Sequence, residues 1–461
     1  MPARQTIFIT VNRAIIARNL LFQSAFKKMQ ERFRIVCFIP PEAEAEFRRV
    51  FPNMEVAILN QMILRGWKQR LDVWLTALLK GLMYNPTIEL RSKYGLMRRS
   101  RVRFKGLRNF FQKYVFGNFL SRFGAVKALL LYWDRKIFST AEYDGCITAY
   151  APSLVFVTNI ADLAEVMLLR NCKNRGVASV GMAKSWDVPS KFVFRETTDR
   201  FLVWSEYMER EVTTYQQYPP GRITVCGVPQ FDYYRQADMP REVFCAKYGL
   251  DPGKKIIFFG SEGPVAPVDP FVVCRLRDSI AAGELAGHQV FIRPHFGYRQ
   301  DSERFQDLVD GRVVFMDTDH AASSFKDGMP LSLDHVINLS AAIRQAAVCI
   351  TSASTLALDI VANGQYPILY AFDERPGVPF ADSMRRLYGS TWFREFERQG
   401  LQSLVYSYAE LLRLIRLLET DPGYRQRERE AVIKYFCYAL DGGSAGRLVE
   451  ALESAAAGRN H

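Results

Sequence analysis

The chain has 461 residues, of which 49% are hydrophobic and 13% aromatic, so it is long enough for two or more packed domains and too apolar to be disordered. The eight cysteines contain no C-x-x-C pair, which argues against a disulfide scaffold and fits a reduced, cytosolic protein. The five histidines have no paired spacing, so no zinc site is predicted. The net charge of +13 is concentrated in residues 61–140, where 17 Lys and Arg stand against 3 Asp and Glu, so the rest of the chain is about neutral.

The first 60 residues alternate between strand-like and helix-like patterns. Strands are predicted at 6–10, 34–39 and 55–59, and helices at 14–30 and 42–51. No G-x-G-x-x-G follows the first strand, so the dinucleotide fingerprint is absent. Because the first strand begins almost at the N-terminus and no run of about 18 apolar residues occurs, we expect neither a signal peptide nor a membrane span.

Residues 61–140 interrupt this alternation with two long helical patterns, at 67–84 and 105–138. A dense basic cluster lies within them: Arg98, Arg99, Arg101, Arg103, Lys105 and Arg108. Basic amphipathic helices that carry Trp and Phe suit the surface of an anionic membrane. Basic residues among aromatics also suit nucleic acid, and a solvated helical insert packed on a sheet is the plainest interpretation.

Residues 143–228 return to the α/β pattern. Strands are predicted at 145–149, 154–158, 177–182, 200–204 and 223–226, and helices at 161–173 and 206–217. Alternating strands and helices predict a parallel sheet, whose functional loops follow the carboxyl ends of the strands. Asp187 lies in such a loop, so it is a candidate general base that deprotonates an acceptor hydroxyl, although an Asx turn or helix cap is the alternative.

A Pro- and Gly-containing break over 229–253 predicts a domain boundary, and a second α/β pattern follows. Strands are predicted at 255–259, 289–292 and 313–315, and a helix at 271–282. The loop that contains Ser261 has small residues, which allow a ligand to approach the backbone. Arg293 and His295 end a strand, where Arg can hold a phosphate and His can donate to one or act as an acid.

Residues 346–370 read as a strand, a tight polar turn, a helix and a second strand. Ser352, Ser354 and Thr355 place hydroxyl groups where the helix begins, and helix N-termini attract phosphate. Asp359 follows one turn later on the same face and is suited to accept hydrogen bonds from ribose hydroxyls. A capped crossover with a solvated Asp is the alternative. Helices at 408–419 and 422–438, and one opened by the turn at 441–447, complete the chain.

Two α/β halves with a cleft between them resemble the GT-B architecture of glycosyltransferases. The second half resembles the CDP-glycerol glycerophosphotransferases and their surface-polysaccharide relatives at 292–295, 346–359, 367–373 and 441–447. The first half resembles glycosyltransferase-like proteins of surface-carbohydrate clusters at 184–187, 201–205 and 225–232. The resemblance covers roughly residues 145–450 as short motifs and does not extend to the basic insert.

This resemblance implies a nucleotide-activated donor bound mainly by the second half. Arg293 and His295 would face its phosphates, and Ser352, Ser354, Thr355 and Asp359 would hold phosphate and ribose. The polyol-phosphate enzymes carry Trp-His-Gly where this chain reads Ser-Trp-Asp. That difference favours sugar transfer over polyol-phosphate transfer and makes Asp187 the natural base.

The sequence therefore predicts an α/β protein with two Rossmann-like domains facing a cleft. The expected divisions are an N-terminal acceptor domain at 1–235 that contains the basic helical insert, a C-terminal nucleotide-donor domain at 250–440, and a C-terminal helix at 441–461.

The predicted function is a metal-independent, inverting glycosyltransferase that builds a bacterial surface polysaccharide or glycolipid. Asp187 and His295 are its expected catalytic residues, and Ser261 joins the donor-binding residues named above. We expect no cofactor beyond the nucleotide-sugar or CDP-polyol co-substrate, and a cytoplasmic location on the inner face of the cell membrane, bound through residues 61–140. The alternatives are a CDP-glycerol-type polyol-phosphate transferase, a sugar-nucleotide epimerase, and a non-enzymatic protein that binds membrane or nucleic acid.

Overall fold

The structure is a computed structural model that describes residues 4–22, 24–61, 64–94, 111–235, 239–295, 297–298, 300–318, 324–325, 331–401 and 403–458. Two parallel sheets organise this part of the chain. The first contains β1 (Thr6–Thr10), β2 (Arg34–Ile39), β3 (Glu55–Ile58), β4 (Leu154–Val157), β5 (Ala178–Met182), β6 (Arg200–Val203) and β7 (Ile223–Val225). The second contains β8 (Lys255–Gly260), β9 (His288–Arg293), β10 (Val314–Met316), β11 (Ala346–Thr351), β12 (Pro367–Tyr370) and β13 (Leu404–Val405).

The strand orders are β3-β2-β1-β4-β5-β6-β7 and β10-β9-β8-β11-β12-β13. In each sheet the chain moves outward to one edge and then returns to the other side of its first strand. Each sheet therefore has a switch point, between β1 and β4 and between β8 and β11, which is where open parallel sheets form their ligand crevices. The prediction of two Rossmann-like halves is confirmed.

The strand cores explain why these segments pair. Every residue of β1 and β4 is buried, and Phe8 of β1 stands opposite Val36 on one side and Val155 on the other. Runs of Ile, Val and Phe without alternation are typical of strands covered on both faces by helices.

Helices cover both sheets. The first part of the chain contributes α1 (Ala14–Leu20), α2 (Ser24–Arg32), α3 (Glu44–Val50), α4 (Gly66–Leu82), α5 (Pro86–Tyr94), α6 (Gly124–Ile137), α7 (Asp144–Tyr150), α8 (Leu163–Asn174), α9 (Val188–Lys191), α10 (Glu206–Gln216) and α11 (Pro229–Tyr234). The second contributes α12 (Arg241–Tyr248), α13 (Asp269–Ala281), α14 (Asp334–Gln345), α15 (Leu356–Ala362), α16 (Thr391–Arg398), α17 (Tyr408–Thr420), α18 (Gln426–Val432) and α19 (Ser444–Ala457). The last helix returns to the first sheet and packs on α2 and on β4, β5 and β6.

Three sequence predictions of secondary structure are wrong. The helix expected at 14–30 is divided into α1 and α2. Residues 145–149, expected as a strand, lie in α7, where Ile147 is the buried residue of a short helix that ends at Ala151 in the left-handed region. The expected helix over 105–138 is interrupted: Phe111–Gly117 forms a π-helical turn and α6 begins only at Gly124. A short apolar run fits either period, and glycines weaken a helix.

The predicted insert is helical over the part that the structure describes. Its basic cluster, Arg98, Arg99, Arg101, Arg103, Lys105 and Arg108, lies outside the described residues. The insert is fixed to the sheet by buried charges: Arg170 of α8 donates to Asp134 of α6 at 2.6 Å and to the carbonyl of Phe138 at 2.6 Å. In the described ranges, no helix is both long and apolar enough to cross a bilayer.

Candidate functional site

A cavity of about 280 Å³ lies between the two halves, at the carboxyl ends of their strands. Arg18 and Lys184 reach it from the first half. Six residues singled out in the sequence line it from the second half: Ser261, Arg293, His295, Ser354, Thr355 and Asp359. Side chains that are far apart in the chain therefore meet here because both switch points face each other.

Ser352 and Asp187 are the two sequence candidates that do not line this cavity. Ser352 is fully buried directly after β11, and its hydroxyl has no hydrogen-bond partner among the described residues, so its contact with a donor stays a prediction. The helix that follows, α15, has only seven residues, and Thr355 at its N-cap position makes no side-chain capping bond. The dipole of so short a helix is a weak source of positive potential, so the positive potential of the cavity comes mainly from its cationic side chains.

Asp359 projects from the first turn of α15 and accepts a hydrogen bond from the Tyr234 hydroxyl at 2.5 Å. Burial raises the pKa of this carboxyl to about 6, although the hydrogen bond and the charges of Arg18 and Arg293 oppose the rise. The carboxyl is ionised at neutral pH and able to accept hydrogen bonds from hydroxyl groups. Tyr234 also joins the two halves, because it ends α11, which precedes the second sheet.

Arg293 has a more internal role than the sequence suggested. Its guanidinium donates to Asp317 at 2.5 Å and contacts the His335 ring at 3.1 Å and its carbonyl oxygen at 3.2 Å. Only 4% of the residue is exposed, and burial lowers its pKa. Arg293 therefore supplies positive potential to the cavity wall, whereas half-buried Arg18 is better placed to contact a ligand.

His295 is oriented by two hydrogen bonds. Its backbone N–H donates to Asp301 at 2.7 Å, and its Nδ1 accepts from the backbone N–H of Gly297 at 3.1 Å. Because Nδ1 acts as the acceptor, the neutral ring carries its proton on Nε2. The ring packs on Tyr298, with centroids 4.8 Å apart. The structure therefore presents a hydrogen-bond donor at Nε2, suited to a phosphate oxygen.

Asp187 follows β5 in a loop held by Trp186, whose indole N–H donates to the carbonyl of Phe436 at 2.6 Å. The carboxylate accepts from Ser185 at 2.9 Å and pairs with Lys191 at 2.9 Å. Burial alone would raise the pKa of Asp187, but Lys191 and the Ser185 hydrogen bond outweigh it and hold the pKa below its usual range. Asp187 is therefore ionised and firmly paired.

Glu262 is a functional candidate that the sequence reasoning missed. It follows β8 in the loop of Ser261, whose hydroxyl donates to buried Asp269 at 2.6 Å, while the Glu262 N–H donates to the same carboxyl at 3.1 Å. Gly263 closes the turn with φ +67°, a conformation that favours glycine. Ser261 thus positions this loop as well as lining the cavity.

The Glu262 carboxyl combines burial with an unsatisfied oxygen. Its Oε2 atom is buried and has no hydrogen-bond partner among the described residues. Burial raises the pKa of Glu262, His295 and a hydrogen bond from Ser354 oppose the rise, and the nearby Asp187 charge adds to it. Two carboxyl groups from opposite halves therefore lie within electrostatic reach, and their environments move their pKa values in opposite directions. That separation is typical of acid and base pairs.

The switch point of the first sheet carries further buried polar groups. Both side-chain polar atoms of Asn12 and the amide oxygen of Asn159 lack hydrogen-bond partners within the described ranges. Glu165, beneath them, accepts from Thr10 at 2.5 Å, and burial raises its pKa to about 8. These groups are suited to the hydroxyls of a polar ligand. Buried amide groups without hydrogen-bond partners indicate a candidate ligand contact, and this indication is available only from the structure.

No protein-family model and no curated protein matches the chain. Solved structures do resemble it. A Listeria monocytogenes protein described as a UDP-N-acetylglucosamine 2-epimerase has a TM-score of 0.54 at 12% identity, over 98% of this chain and 96% of that chain. The UDP-GlcNAc 2-epimerase of Neisseria meningitidis, bound to UDP-GlcNAc, has a TM-score of 0.50 at 11% identity, over 97% and 99%. A glycosyltransferase of Rickettsia africae ESF-5 has a TM-score of 0.50 at 12% identity, over 99% and 100%.

At identities this low, the likeness establishes the fold alone. The chain shares with these proteins the GT-B arrangement of two Rossmann-like halves, which confirms the predicted architecture. None of the three is a CDP-glycerol glycerophosphotransferase, so that narrower resemblance stays a prediction.

Proposed function

We propose that the protein binds a nucleotide-activated sugar in the cavity between its halves and transfers the sugar to an acceptor hydroxyl. The observation that carries this proposal is the meeting, in one cavity, of Arg18 and Lys184 from the first half with His295 and the carboxyl group of Asp359 from the second. Two electrostatically coupled carboxyl groups, Asp187 and Glu262, lie near this cavity but do not line it. The structural likeness to enzymes of nucleotide sugars supports it.

The donor phosphates are assigned to Arg18, Lys184 and the Nε2–H of His295, and the ribose to Asp359. In this arrangement, charge that develops on the leaving diphosphate is stabilised by cations and donors of the chain rather than by a metal ion. Thr355 and Ser354 add hydroxyl groups at the edge of the same site. His295 thereby acts on the leaving group, the role proposed for it from the sequence.

The transfer itself requires a base for the acceptor. A carboxylate removes the proton of the acceptor hydroxyl, and the hydroxyl oxygen forms a bond to the anomeric carbon of the sugar. The bond from that carbon to the diphosphate breaks, so the configuration at the anomeric carbon inverts. Asp187 was the sequence-based candidate for this base. We place Glu262 first, because its Oε2 atom is buried without a hydrogen-bond partner among the described residues and burial raises its pKa, whereas Asp187 is paired with Lys191. Neither carboxyl group is among the residues that line the cavity.

An epimerase remains the second candidate function, because a pair of carboxyl groups at one sugar suits proton removal and return as well as transfer. The epimerases that share the fold favour it too. One assay distinguishes the two functions: an epimerase converts a nucleotide-sugar with no acceptor present, and a transferase does not. A polyol-phosphate transferase is distinguished from both because it uses a CDP-polyol as donor.

We predict that one nucleotide family stabilises the folded protein and that Arg18→Gln removes most of this effect. A ligand at 100 times its Kd adds about 2.7 kcal/mol of stability, which a thermal-unfolding assay detects readily. The assay uses UDP, CDP, GDP and their sugar conjugates, with and without EDTA. Arg48→Gln, an exposed charge on α3 paired with Glu44, is the matched control. No response to any nucleotide would contradict the donor site, and a response lost with EDTA would contradict the metal-independent mechanism.

The insert presents an apolar face to solvent, which supports attachment to a membrane. On α6 the residues at helical spacing 125, 128, 129, 132, 133 and 136 are all exposed, and Leu129, Tyr132 and Trp133 are 58%, 54% and 54% exposed. On α4, Trp67 and Trp74 are 64% and 67% exposed and lie on one face. A soluble helix normally turns such a face inward.

Ten of the fifteen large exposed hydrophobic side chains among the described residues belong to this insert. Its sequence also carries the local excess of 14 basic residues. Aromatic side chains among basic residues suit the interface of an anionic bilayer. We therefore propose that residues 61–140 hold the protein on the cytoplasmic face of the cell membrane, beside a lipid-linked acceptor of a surface polysaccharide.

We predict that Trp67→Ser combined with Trp74→Ser weakens binding to phosphatidylglycerol vesicles at least tenfold, which corresponds to about 1.4 kcal/mol. Co-sedimentation at low and high salt measures the effect, and high salt should also weaken binding of the unaltered protein. Val243→Ser is the matched control, because Val243 is 54% exposed on α12 in the other half. Equal binding by both variants would contradict this surface.

A further inference from the structure

A second cavity, of about 390 Å³, lies where the insert meets the loop of Asp187. Its walls come from α4, α5 and α9. Three cationic side chains line it, Lys80, Arg91 and Lys191, against a single acidic residue, Asp72. That carboxylate is already paired with Arg195 outside the lining. The lining therefore carries more positive than negative charge, with Asp187 outside the lining as the acidic partner of Lys191.

The three cations are held close together around one aromatic ring. The charged groups of Lys80, Arg91 and Lys191 lie 5.9, 5.6 and 5.6 Å from the centre of the Phe192 ring. Cation–π contact offsets part of their repulsion, but a neutral ring does not neutralise charge. Such crowding of like charges is costly unless an anion joins them.

Arg91 shows directly that a partner is missing. Its Nη1 atom is buried and has no hydrogen-bond partner among the residues that the structure describes. Burial lowers the pKa values of both Arg91 and Lys80, and the charges of Asp187 on Arg91 and of Asp72 on Lys80 oppose this fall without cancelling it. A buried guanidinium N–H without an acceptor can donate to a bound anion here, because such groups are normally satisfied by a partner, a water or an ion.

We propose that this cavity binds a phosphate or diphosphate group, carried by the acceptor. The assignment to the acceptor rests on the proposed function, whereas the anion site itself rests only on the charges and on the unsatisfied Arg91. Lys191 connects the two sites, because its ammonium lines the cavity and also pairs with Asp187 at 2.9 Å. A phosphate bound here would hold an attached sugar beside Asp187 and Glu262.

The position of the cavity favours an acceptor that is attached to lipid. Val73 of α4 lines the cavity and is 62% exposed, and the next residue, Trp74, belongs to the exposed apolar face of the same helix. The mouth of the cavity therefore opens beside the surface proposed to contact the membrane. A phosphate at the head of a lipid would reach Arg91 from that side without leaving the bilayer.

The test is calorimetric titration of inorganic pyrophosphate into the full-length protein, in the presence of a saturating concentration of the nucleotide identified by thermal unfolding, so that the donor site is filled. Arg91→Gln should weaken pyrophosphate binding at least tenfold and leave the affinity for that nucleotide unchanged. Lys93→Gln is the control, since Lys93 lies on α5 outside the cavity and pairs with Glu89. If Arg91→Gln fails to fold, Lys80→Met removes a cation while keeping most of the apolar stem.

The two proposals fail in different ways. Equal pyrophosphate affinity in the unaltered protein and Arg91→Gln overturns the anion site. Absence of binding by every nucleotide tested contradicts the donor site instead, and the anion site is then titrated without nucleotide. Binding to phosphatidylglycerol vesicles distinguishes the two sources of the phosphate. If Arg91→Gln weakens binding to the vesicles as well as to pyrophosphate, the cavity binds a lipid headgroup. If the variant weakens only pyrophosphate binding, the cavity binds a phosphate carried by the acceptor.

Discussion

Replacing Glu262 by Gln should lower turnover by about 10²- to 10⁴-fold while nucleotide affinity stays within about twofold. The amide keeps the size and one acceptor oxygen of the side chain but cannot take a proton. The Glu262 loop is held by Ser261 and Asp269 through its backbone, so the substitution leaves the loop in place. Steady-state kinetics with the nucleotide-sugar identified by thermal unfolding, together with nucleotide titration, provides the measurement.

The pH dependence distinguishes the two candidate bases. A base must be deprotonated, so the rate falls as pH drops through its pKa. If Glu262 is the base, the acidic limb of kcat/KM lies above the ordinary range of a glutamate, because burial raises that pKa. If Asp187 is the base, the limb lies below the ordinary range of an aspartate, because Lys191 and Ser185 together lower that pKa below its usual range.

Asp187→Asn completes the comparison, with Glu242→Gln on exposed α12 as the control that should change nothing. Loss of turnover in Asp187→Asn, combined with a low acidic limb and an active Glu262→Gln, would return the role of base to Asp187. An unchanged rate in Glu262→Gln is the result that excludes Glu262. Equal loss of turnover and nucleotide affinity in either variant would indicate that the cavity itself is disturbed.

The fold was predictable because its signals are local. Strands such as 34–39 and 367–370 are short apolar runs between helices, and the order of α and β segments already implies parallel sheets. Six site residues were predictable by the same logic, because loops after parallel strands converge at one edge. The strand predicted at 145–149 failed because five apolar or small residues in a row fit either period, and the helix α7 gains its buried contact from Ile147 alone.

The remaining site features depend on relations that the sequence does not contain. Glu262 follows a strand as Asp187 does, but it differs from other such carboxyl groups in its raised pKa, which comes from burial and from the Asp187 charge of the other half. Ser352 is fully buried and does not line the cavity, whereas Ser354 and Thr355 of the same turn do, and the sequence does not distinguish these three hydroxyl groups. The cationic cavity joins residues about a hundred positions apart, Lys80 and Lys191, through the docking of an insert that no local pattern predicts.

That docking depends on a buried ion network, and Asp134→Ala should lower the free energy of unfolding by about 3–5 kcal/mol. Asp134 is fully buried and accepts from Arg170 at 2.6 Å and from Arg195 at 3.1 Å. Removing its carboxylate leaves two guanidinium groups in the protein interior with too few counter-charges; Glu196, 3.3 Å from Arg170, is the remaining acidic partner of that residue. Water cannot solvate the Arg170 guanidinium in place of the carboxylate, because the Arg170 side chain is only 1% exposed.

Chemical denaturation of Asp134→Ala measures the loss, and Glu55→Ala is the control. Glu55 pairs with Arg34 at 2.7 Å, but both side chains are more than a third exposed, so this substitution should cost no more than about 1 kcal/mol. A similar small cost for Asp134→Ala would show that water reaches the network. A loss of about 3–5 kcal/mol of unfolding free energy in Asp134→Ala would show that the network is dry. If this variant also loses vesicle binding at temperatures where the rest of the protein stays folded, the network holds the apolar face of the insert in position. The same charges would then couple membrane attachment to the segment that follows Asp187 and α9, because Arg195, four residues after α9, donates to Asp134 and its carbonyl accepts from Arg170.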